Sequence, residues 1–193
     1  DEAGKIQYDC LTEIFYLPNE DDGSESIYLD HPVVGVSWIG ANVYANYFGW
    51  SLPTMEQWIL AAQGNNDWTY PWDDNTINQN YANYDNDNTS KVKYYNGLGE
   101  LNLSLSAYGL YDMAGNVWEY TSHPSGTDAY YKIGGAFDSN SNQLNLLDLN
   151  EDGIPDAIGY ALWEHVSNNT GFRCVTNTSY SSPPASGCTE ENA

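Results

Sequence analysis

One stretch, residues 108–120, constrains the fold of this chain more than any other. It reads YGLYDMAGNVWEY, in which apolar and aromatic residues are interrupted by two glycines and an asparagine. This spacing matches neither the 3.6-residue period of a helix nor the two-residue alternation of a strand. We therefore expect a buried, aromatic-rich turn with four side chains facing the core, namely Leu110, Met113, Val117 and Trp118.

Two acids, Asp112 and Glu119, lie in this turn beside the predicted core. A buried carboxylate needs a partner cation, a proton or a metal ion. Only five residues of the chain are Lys or Arg, so organic cations are scarce. Calcium is a suitable partner because it binds carboxylate and backbone carbonyl oxygens together. The alternative is an ion pair with Arg173 or Lys132.

The overall composition narrows the classes of function. The formal charge is −22, from 27 Asp and Glu against five Lys and Arg. Nucleic acids and anionic membranes bind basic surfaces, so we expect neither as a partner. No apolar run approaches the ~20 residues of a membrane-spanning helix, so we expect no membrane insertion. The acidic balance suits cation binding, or a surface kept soluble in salty water. We expect a bacterial protein that is extracellular, secreted or at the cell surface.

The sequence contains few signals for regular secondary structure. Residues 7–17 read as an early strand. Ser37 is placed to cap a helix over residues 38–48, and Thr54 with Gln57 forms the capping box of a second helix. The predicted inner faces of the two helices are Ala41, Tyr44, Ala45 and Phe48 in the first, and Trp58, Ala61 and Ala62 in the second.

Four blocks of sequence follow the order found in the formylglycine-generating-enzyme (sulfatase-modifying factor) family. They are the turn itself, residues 31–38 (HPVVGVSW), residues 52–58 (LPTMEQW) and residues 171–174 (GFRC). The resemblance implies an α+β fold of the irregular, C-type-lectin-like kind, with low regular secondary structure and two short helices. It places the family-like domain at residues 31–175, between an N-terminal strand and acidic loop (1–30) and a Ser/Pro-rich tail (176–193).

The resemblance also implies two calcium sites. The better match has four ligands, the carboxylates of Asp112 and Glu119 and the carbonyls of Gly115 and Val117. The other lies in a long polar loop, residues 65–106, where Asn83 and the carbonyl of Tyr84 match the opening ligands. Asp85 or Asp87 could supply its later acid. A solvated Asn/Asp loop is the alternative.

A separate acidic loop carries its own calcium signal at residues 148–156. Its D-x-N-x-D-G-x-x-D spacing offers oxygens from the side chains of Asp148, Asn150, Asp152 and Asp156 and from the carbonyl of Ile154. Gly153 allows the sharp bend that such loops need. Gly159 stands where a helix-loop-helix calcium hand has its bidentate Glu, so the loop resembles those of integrin-type propeller repeats and dockerin-like segments. A plain acidic turn is the alternative.

The copper chemistry of the family's catalytic members is not expected here. In those members a cysteine pair after the Gly-Gly-Ser block binds copper and oxidises a substrate cysteine. No cysteine lies between Ala136 and Arg173 in this chain, and without thiolates there is no soft Cu(I) site. The resemblance therefore predicts a non-catalytic member. An enzyme of the family with altered active-site chemistry is the alternative.

We expect a binding surface for a protein or glycan partner, either at a cell surface or within an assembly. Exposed Trp and Tyr among Asn and Asp suit such ligands. The candidate residues are Asp138, Asn140, Asn142, Tyr160, Trp163, Glu164, His165 and Asn168. The same part of the fold is diversified in the variable proteins of diversity-generating retroelements, which share the closing Gly-Phe-Arg.

Three cysteines, Cys10, Cys174 and Cys188, permit one disulfide and leave one thiol over. We expect the bond to involve Cys174. Cys188 is the local partner and would close the tail onto the domain, whereas Cys10 would tie the first strand to the last.

Overall fold

Two short helices pack on opposite faces of a four-stranded sheet in this computed structural model. The structure describes residues 26–72, 75–147 and 155–176, together with the backbone of residues 7–9 and 14–16. The remaining segments within this part of the chain are turns, loops and one 3₁₀ turn, Ser141–Leu144. The predicted α+β fold with little regular structure is confirmed.

Both helices begin at the residues that the sequence predicts. Helix α1 spans Trp38–Tyr47, and its cap Ser37 accepts a hydrogen bond from the Gly40 N–H at 3.1 Å. Helix α2 spans Met55–Gln63. Its N-terminus has the reciprocal capping box, in which the Gln57 N–H donates to Thr54 Oγ1 and the Thr54 N–H donates to Gln57 Oε1. These bonds satisfy N–H groups that have no partner within the helix.

The sheet is mixed, with strand order β5-β4-β3-β6. Its strands are β3 (Trp118–Pro124), β4 (Ala129–Ile133), β5 (Ile158–Leu162) and the short β6 (Thr170–Gly171). Strand β6 runs parallel to β3, and the other pairs are antiparallel. A separate antiparallel pair joins β1 (Gln7–Asp9) to β2 (Ile14–Tyr16), so the single early strand predicted over 7–17 is two short ones.

Side-chain alternation along the strands produces a core on each face of the sheet. On one face Ile133 packs with Trp58 of α2 and with Met113, all three at most 2% exposed. On the other face Tyr120 packs with Ala41 of α1 and with Leu52. Each helix therefore buries a face of its own against the sheet, and the two cores are distinct.

The turn before β3 holds the long loop against the body of the domain. Gly115 has φ of +73° and comes so close to Asn83 that an added Cβ would lie 2.4 Å from the Asn83 carbonyl oxygen. The next residue, Asn116, donates its backbone N–H to that same oxygen at 2.8 Å. Only glycine fits the first of these positions. The close approach explains how a loop this long is fixed.

Two of the predicted inward-facing residues point elsewhere. Leu110 is 37% exposed and Tyr44 is 48% exposed. The other predicted core residues of the turn, Met113, Val117 and Trp118, are buried as expected. Leu110 follows Gly109, whose φ of +76° turns the chain before it enters the core. Tyr44 instead packs its ring edge against Phe172 at the surface.

Candidate functional site

The acid Glu119 sits inside the domain and is paired with an arginine. Glu119 is 6% exposed, on the same face of β3 as the α2 core. Arg173 donates from Nε to Glu119 Oε2 and from Nη2 to Oε1, the latter at 2.6 Å. Trp58 Nε1 donates to Oε2 at 2.6 Å. Both oxygens of the carboxylate are thus held by short, charge-assisted hydrogen bonds.

The same arginine reaches the turn that contains Asp112. Arg173 Nη2 donates to the carbonyls of Tyr111 and Asp112, at 3.3 and 3.2 Å. Burial opposes the charged guanidinium, but Glu119 and Asp112 beside it raise the pKa of Arg173. The guanidinium therefore links Arg173, which follows β6, both to β3 and to the turn before it.

This arrangement is the ion-pair alternative rather than the calcium site expected from Asp112, Gly115, Val117 and Glu119. The Asp112 carboxylate has a hydrogen bond of a different kind, since its Oδ2 accepts the Lys93 backbone N–H at 2.8 Å. Burial raises the pKa of the Asp112 carboxyl, against the lowering effect of that hydrogen bond. The residues as arranged do not fit a calcium ion held between the two acids, because Arg173 occupies the oxygens of Glu119.

The other expected calcium ligands do converge. Asn86 Nδ2 donates both to Asn83 Oδ1, at 2.8 Å, and to the Tyr84 carbonyl, at 3.1 Å. Two oxygens therefore face one point, and rotating the Asn86 amide would present a third oxygen there. Asn83 is 4% exposed, while Asp85 and Asp87 are exposed beside it. This geometry fits a hard cation that prefers oxygen ligands.

Most of the 148–156 acidic loop lies outside the described residues. Its predicted ligands Asp148, Asn150, Asp152 and Ile154 belong to that part, and the calcium site there stays a prediction. Asp156 is described and is partly buried just before β5. Within the described ranges no three His, Cys, Asp or Glu side chains are grouped so that they could hold a metal ion together.

The segment after Gly134-Gly135 contributes two buried side chains, Ser139 and Leu144, to the core. A Cβ at Gly135 would lie 2.6 Å from Leu144 Cδ1, and Leu144 is fully buried. Ser139 is 3% exposed, and its hydroxyl accepts the Ala136 N–H at 3.0 Å. The resemblance to the family places the cysteine pair of the catalytic members in the sequence after this glycine pair. In this chain, buried Ser139 and Leu144 alternate there with exposed Asp138, Asn140 and Asn142.

The candidate binding residues do not form a single surface. Asp138 is exposed, and its carboxylate accepts both hydrogen bonds from the Asn169 amide nitrogen. Nearby, Asn140 and Asn142 belong to the exposed 3₁₀ turn that Asn140 caps. Asn168 is exposed in the β5–β6 connection, next to Asn169. These four positions form one polar surface, which we call the Asp138 surface.

The remaining candidates lie within β5 or directly after it. The Trp163 N–H donates to the Asp128 carbonyl and its own carbonyl accepts the Ile39 N–H, so the residue joins the β3–β4 hairpin to α1. Trp163 is 42% exposed, and Glu164 and His165 follow it at the surface. Tyr160 is 70% exposed. Tyr160 pairs with Tyr131, which lies two positions before Ile133 and therefore on the same face of β4. Because Ile133 packs against α2, Tyr160 also lies on the α2 side of the sheet.

Sequence reasoning missed the residues that organise the Asp138 surface. Lys132 Nζ lies 4.9 Å from the centre of the Trp118 ring and 3.4 Å from Thr170 Oγ1. Thr170 Oγ1 in turn donates to Asn169 Oδ1 at 3.0 Å. One signal for this was present in the sequence. Lys132 stands between Tyr131 and Ile133 in an otherwise apolar strand, where alternation aims one of every two side chains inward.

Cys174 is partly buried and is bonded to no other cysteine within the described residues. Burial raises the pKa of this thiol. Both of its predicted partners, Cys10 and Cys188, lie outside the described residues, so the disulfide stays a prediction. Among the residues that the structure describes, no helix is long and apolar enough to cross a bilayer.

Residues 12–178 match the family described as the sulfatase-modifying factor enzyme 1-like domain. The chain belongs to this family. A similar relative is the inactive C-alpha-formylglycine-generating enzyme 2 of Mus musculus, 32% identical over 163 residues that cover 77% of this chain and 50% of that protein. The formylglycine-generating enzyme of Streptomyces coelicolor is 28% identical over 184 residues, covering 81% of this chain and 56% of the enzyme.

A third relative carries the domain within a much longer protein. The serine/threonine-protein kinase pkn1 of Chlamydia caviae is 39% identical over 104 residues, which are 53% of this chain and 15% of the kinase. The chain thus spans at most about half of these proteins. Among solved structures, PvdO from Pseudomonas aeruginosa has a TM-score of 0.57 at 15% identity, covering 83% of this chain and 66% of that one. This likeness shows the fold.

Proposed function

We propose that this domain is a non-catalytic member of the family that binds a protein or glycan partner outside the cell. The observation that carries the proposal is the segment after Gly134-Gly135. It has no cysteine, and its buried side chains Ser139 and Leu144 pack into the core as structural residues. A domain that has the family fold but lacks the copper-binding thiolates is one in which we expect the surface to carry the function. A relative named an inactive enzyme supports this interpretation.

The Asp138 surface is the better of the two candidate surfaces for this role. Its polar groups are fixed by the Asn169 and Asn140 hydrogen bonds, so binding costs little side-chain entropy. The surface at Trp163 supplies an aromatic side chain instead, and its acidic neighbour Glu164 favours partners without strong negative charge. The chain's −22 charge argues in the same direction.

Paired substitutions test which surface binds. Candidate partners are screened by glycan array and by binding to secreted and surface proteins of the source organism. Asn142→Ala changes the Asp138 surface and Trp163→Ala changes the other, while Tyr47→Ala removes an aromatic ring of 82% exposure on α1 as the control. We expect only one surface variant to weaken a given partner by tenfold or more. Binding that both surface variants leave unchanged would contradict the proposed surfaces.

Calcium is proposed as a structural ion of the loop at Asn83, Tyr84 and Asn86 and of the 148–156 loop. A free calcium concentration 100 times the dissociation constant stabilises the folded state by about 2.7 kcal/mol per site. For a domain of this size that is a rise in melting temperature of about 5–10 °C. An unchanged melting curve in excess EDTA, with no metal found by elemental analysis, would contradict the proposal.

An enzyme with altered chemistry is the second candidate, because other relatives are named formylglycine-generating enzymes. Its distinguishing property is turnover of a cysteine-containing peptide with copper and oxygen. Binding of a partner without any chemical change in it separates the first proposal from this one.

A further inference from the structure

The carboxamide of Asn169 is polarised from both ends. Its Oδ1 accepts hydrogen bonds from Ser167 Oγ at 2.6 Å and from Thr170 Oγ1 at 3.0 Å. Its Nδ2 donates to both oxygens of Asp138, at 2.9 and 3.1 Å. Two hydroxyl donors on a carbonyl oxygen stabilise negative charge that develops there. A carboxylate at the amide nitrogen is placed to deliver a proton to a departing amine.

An amine lies next to this group. The Lys132 side chain leaves β4, passes the Trp118 ring of β3 and ends 3.4 Å from Thr170 Oγ1 on β6. Gly159, its cross-strand partner, makes room for the side chain, since a Cβ there would lie 3.3 Å from Lys132 Cε. Thr170 Oγ1 therefore accepts from the amine and donates to the Asn169 carbonyl oxygen. One hydroxyl connects nucleophile and electrophile.

The surroundings also favour the reactive form of the amine. Burial lowers the pKa of Lys132, although Asp138 opposes this effect. A lysine whose charged form is destabilised in this way is a better nucleophile near neutral pH. The described residues place no carboxylate within ion-pair distance of Lys132, so its nitrogen is not held in a salt bridge.

We propose that Lys132 and Asn169 join in an intramolecular isopeptide bond. Rotation about the last side-chain bonds of the lysine moves Nζ from Thr170 Oγ1 onto Asn169 Cγ. The neutral amine attacks, the Nζ–Cγ bond forms, and the Cγ–Nδ2 bond breaks. Asp138 takes the proton that Nζ loses and gives it to Nδ2, which leaves as ammonia. One amide replaces another, so the step consumes no oxidant, reductant or other reactant.

The bond would tie β4 to β6 across β3 and so fix the closing strand of the sheet. Strand β6 has two residues and one neighbour in the sheet, and a covalent link would hold it where few hydrogen bonds do. This modification goes beyond the proposed binding function and does not depend on it. It is a means of keeping the Asp138 surface folded under mechanical or thermal load.

Mass spectrometry of the folded 193-residue chain tests the proposal without any variant. After reduction and alkylation, we expect an intact mass about 17 Da below that calculated for the sequence with its three cysteines alkylated, the loss of one ammonia. Trypsin then fails to cleave after Lys132, and residues 94–132 and 133–173 stay in one cross-linked peptide. An unshifted mass with two separate peptides overturns the proposal. A mass about 1 Da higher, from hydrolysis of Asn169, overturns it as well.

Two variants with matched chemistry complete the experiment. Lys132→Arg keeps the positive charge but removes the nucleophile, so its mass is expected to equal that calculated for the alkylated variant sequence, with no ammonia lost. Lys91→Arg makes the same change at an exposed lysine paired with Asp30 and is expected to retain the ammonia loss. Asp138→Asn is expected to slow bond formation at least tenfold. Ammonia loss that persists in Lys132→Arg would show another origin and overturn the assignment.

Discussion

Replacing Arg173 with methionine tests how much the buried ion pair contributes to the domain. The change removes two hydrogen bonds to the Glu119 carboxylate and two to the carbonyls of Tyr111 and Asp112. It leaves Glu119, 6% exposed, with a hydrogen bond from Trp58. Removing one partner of a buried ion pair costs about 3–5 kcal/mol, because the other charge stays buried and uncompensated. For a domain of this size that is a fall in melting temperature of about 6–20 °C.

The assay is urea and thermal unfolding followed by tryptophan fluorescence and circular dichroism. Lys91→Met is the matched control. It also deletes one positive charge from an ion pair, but Lys91 and Asp30 lie 3.5 Å apart with more than half of each side chain exposed. Exposed pairs contribute about 0–1 kcal/mol, so the control is expected to unfold almost as the unchanged chain does.

The double variant Glu119→Gln with Arg173→Met tests whether Glu119 and Arg173 stabilise the domain as a pair. Glutamine still accepts from Trp58 and leaves no charge behind, so the double variant is expected to lose less stability than the two single variants added together. Strict additivity would show that Glu119 and Arg173 act separately. A loss below about 1 kcal/mol in Arg173→Met would equally contradict the account.

Three further predictions concern the turn and the loop. Burial raises the pKa of Asp112 above 3.8, so its charged form destabilises the folded state. In EDTA, we therefore expect the free energy of unfolding of the chain to fall relative to that of Asp112→Asn as the pH rises through the raised pKa, measured by urea unfolding between pH 3 and 7. A difference in unfolding free energy that does not change with pH would contradict this. Gly115→Ala drives a Cβ against the Asn83 carbonyl and is expected to cost at least about 3 kcal/mol, whereas Gly109→Ala, with the same sign of φ and open space, is expected to cost about 1–2 kcal/mol. Asn86→Asp puts a carboxylate where two oxygens converge and is expected to raise calcium affinity at least tenfold by calorimetry; an unchanged affinity would place the ion elsewhere.

Local sequence signals predicted the helices well. Each capping hydrogen bond joins residues three positions apart, as the spacing indicates: Ser37 with Gly40, and Thr54 with Gln57. The family blocks likewise predicted the fold. The inner face of α1 was predicted only in part, because helix periodicity does not say how far the apolar face extends. Tyr44 follows the periodicity of α1 but lies beyond the area that the sheet covers.

Long-range partners could not be read from the sequence. The position of Glu119 is compatible with calcium or with an arginine, and the choice depends on Arg173 arriving from 54 positions further along the chain. The Lys132–Thr170–Asn169–Asp138 network has the same origin, because β4 and β6 are separated by β3 in the sheet. Tyr160 and Trp163 are close in sequence, yet strand alternation and the link to α1 direct them to different surfaces.

The most direct test of the central claim is the turnover of a cysteine-containing peptide. The purified chain is incubated with Cu(I), oxygen and the peptide, and aldehyde formation and oxygen uptake are measured beside the formylglycine-generating enzyme of Streptomyces coelicolor. The account predicts no aldehyde above the copper-only background, since the segment after Gly134-Gly135 holds no thiolate. Aldehyde formation in proportion to the concentration of this chain would contradict it.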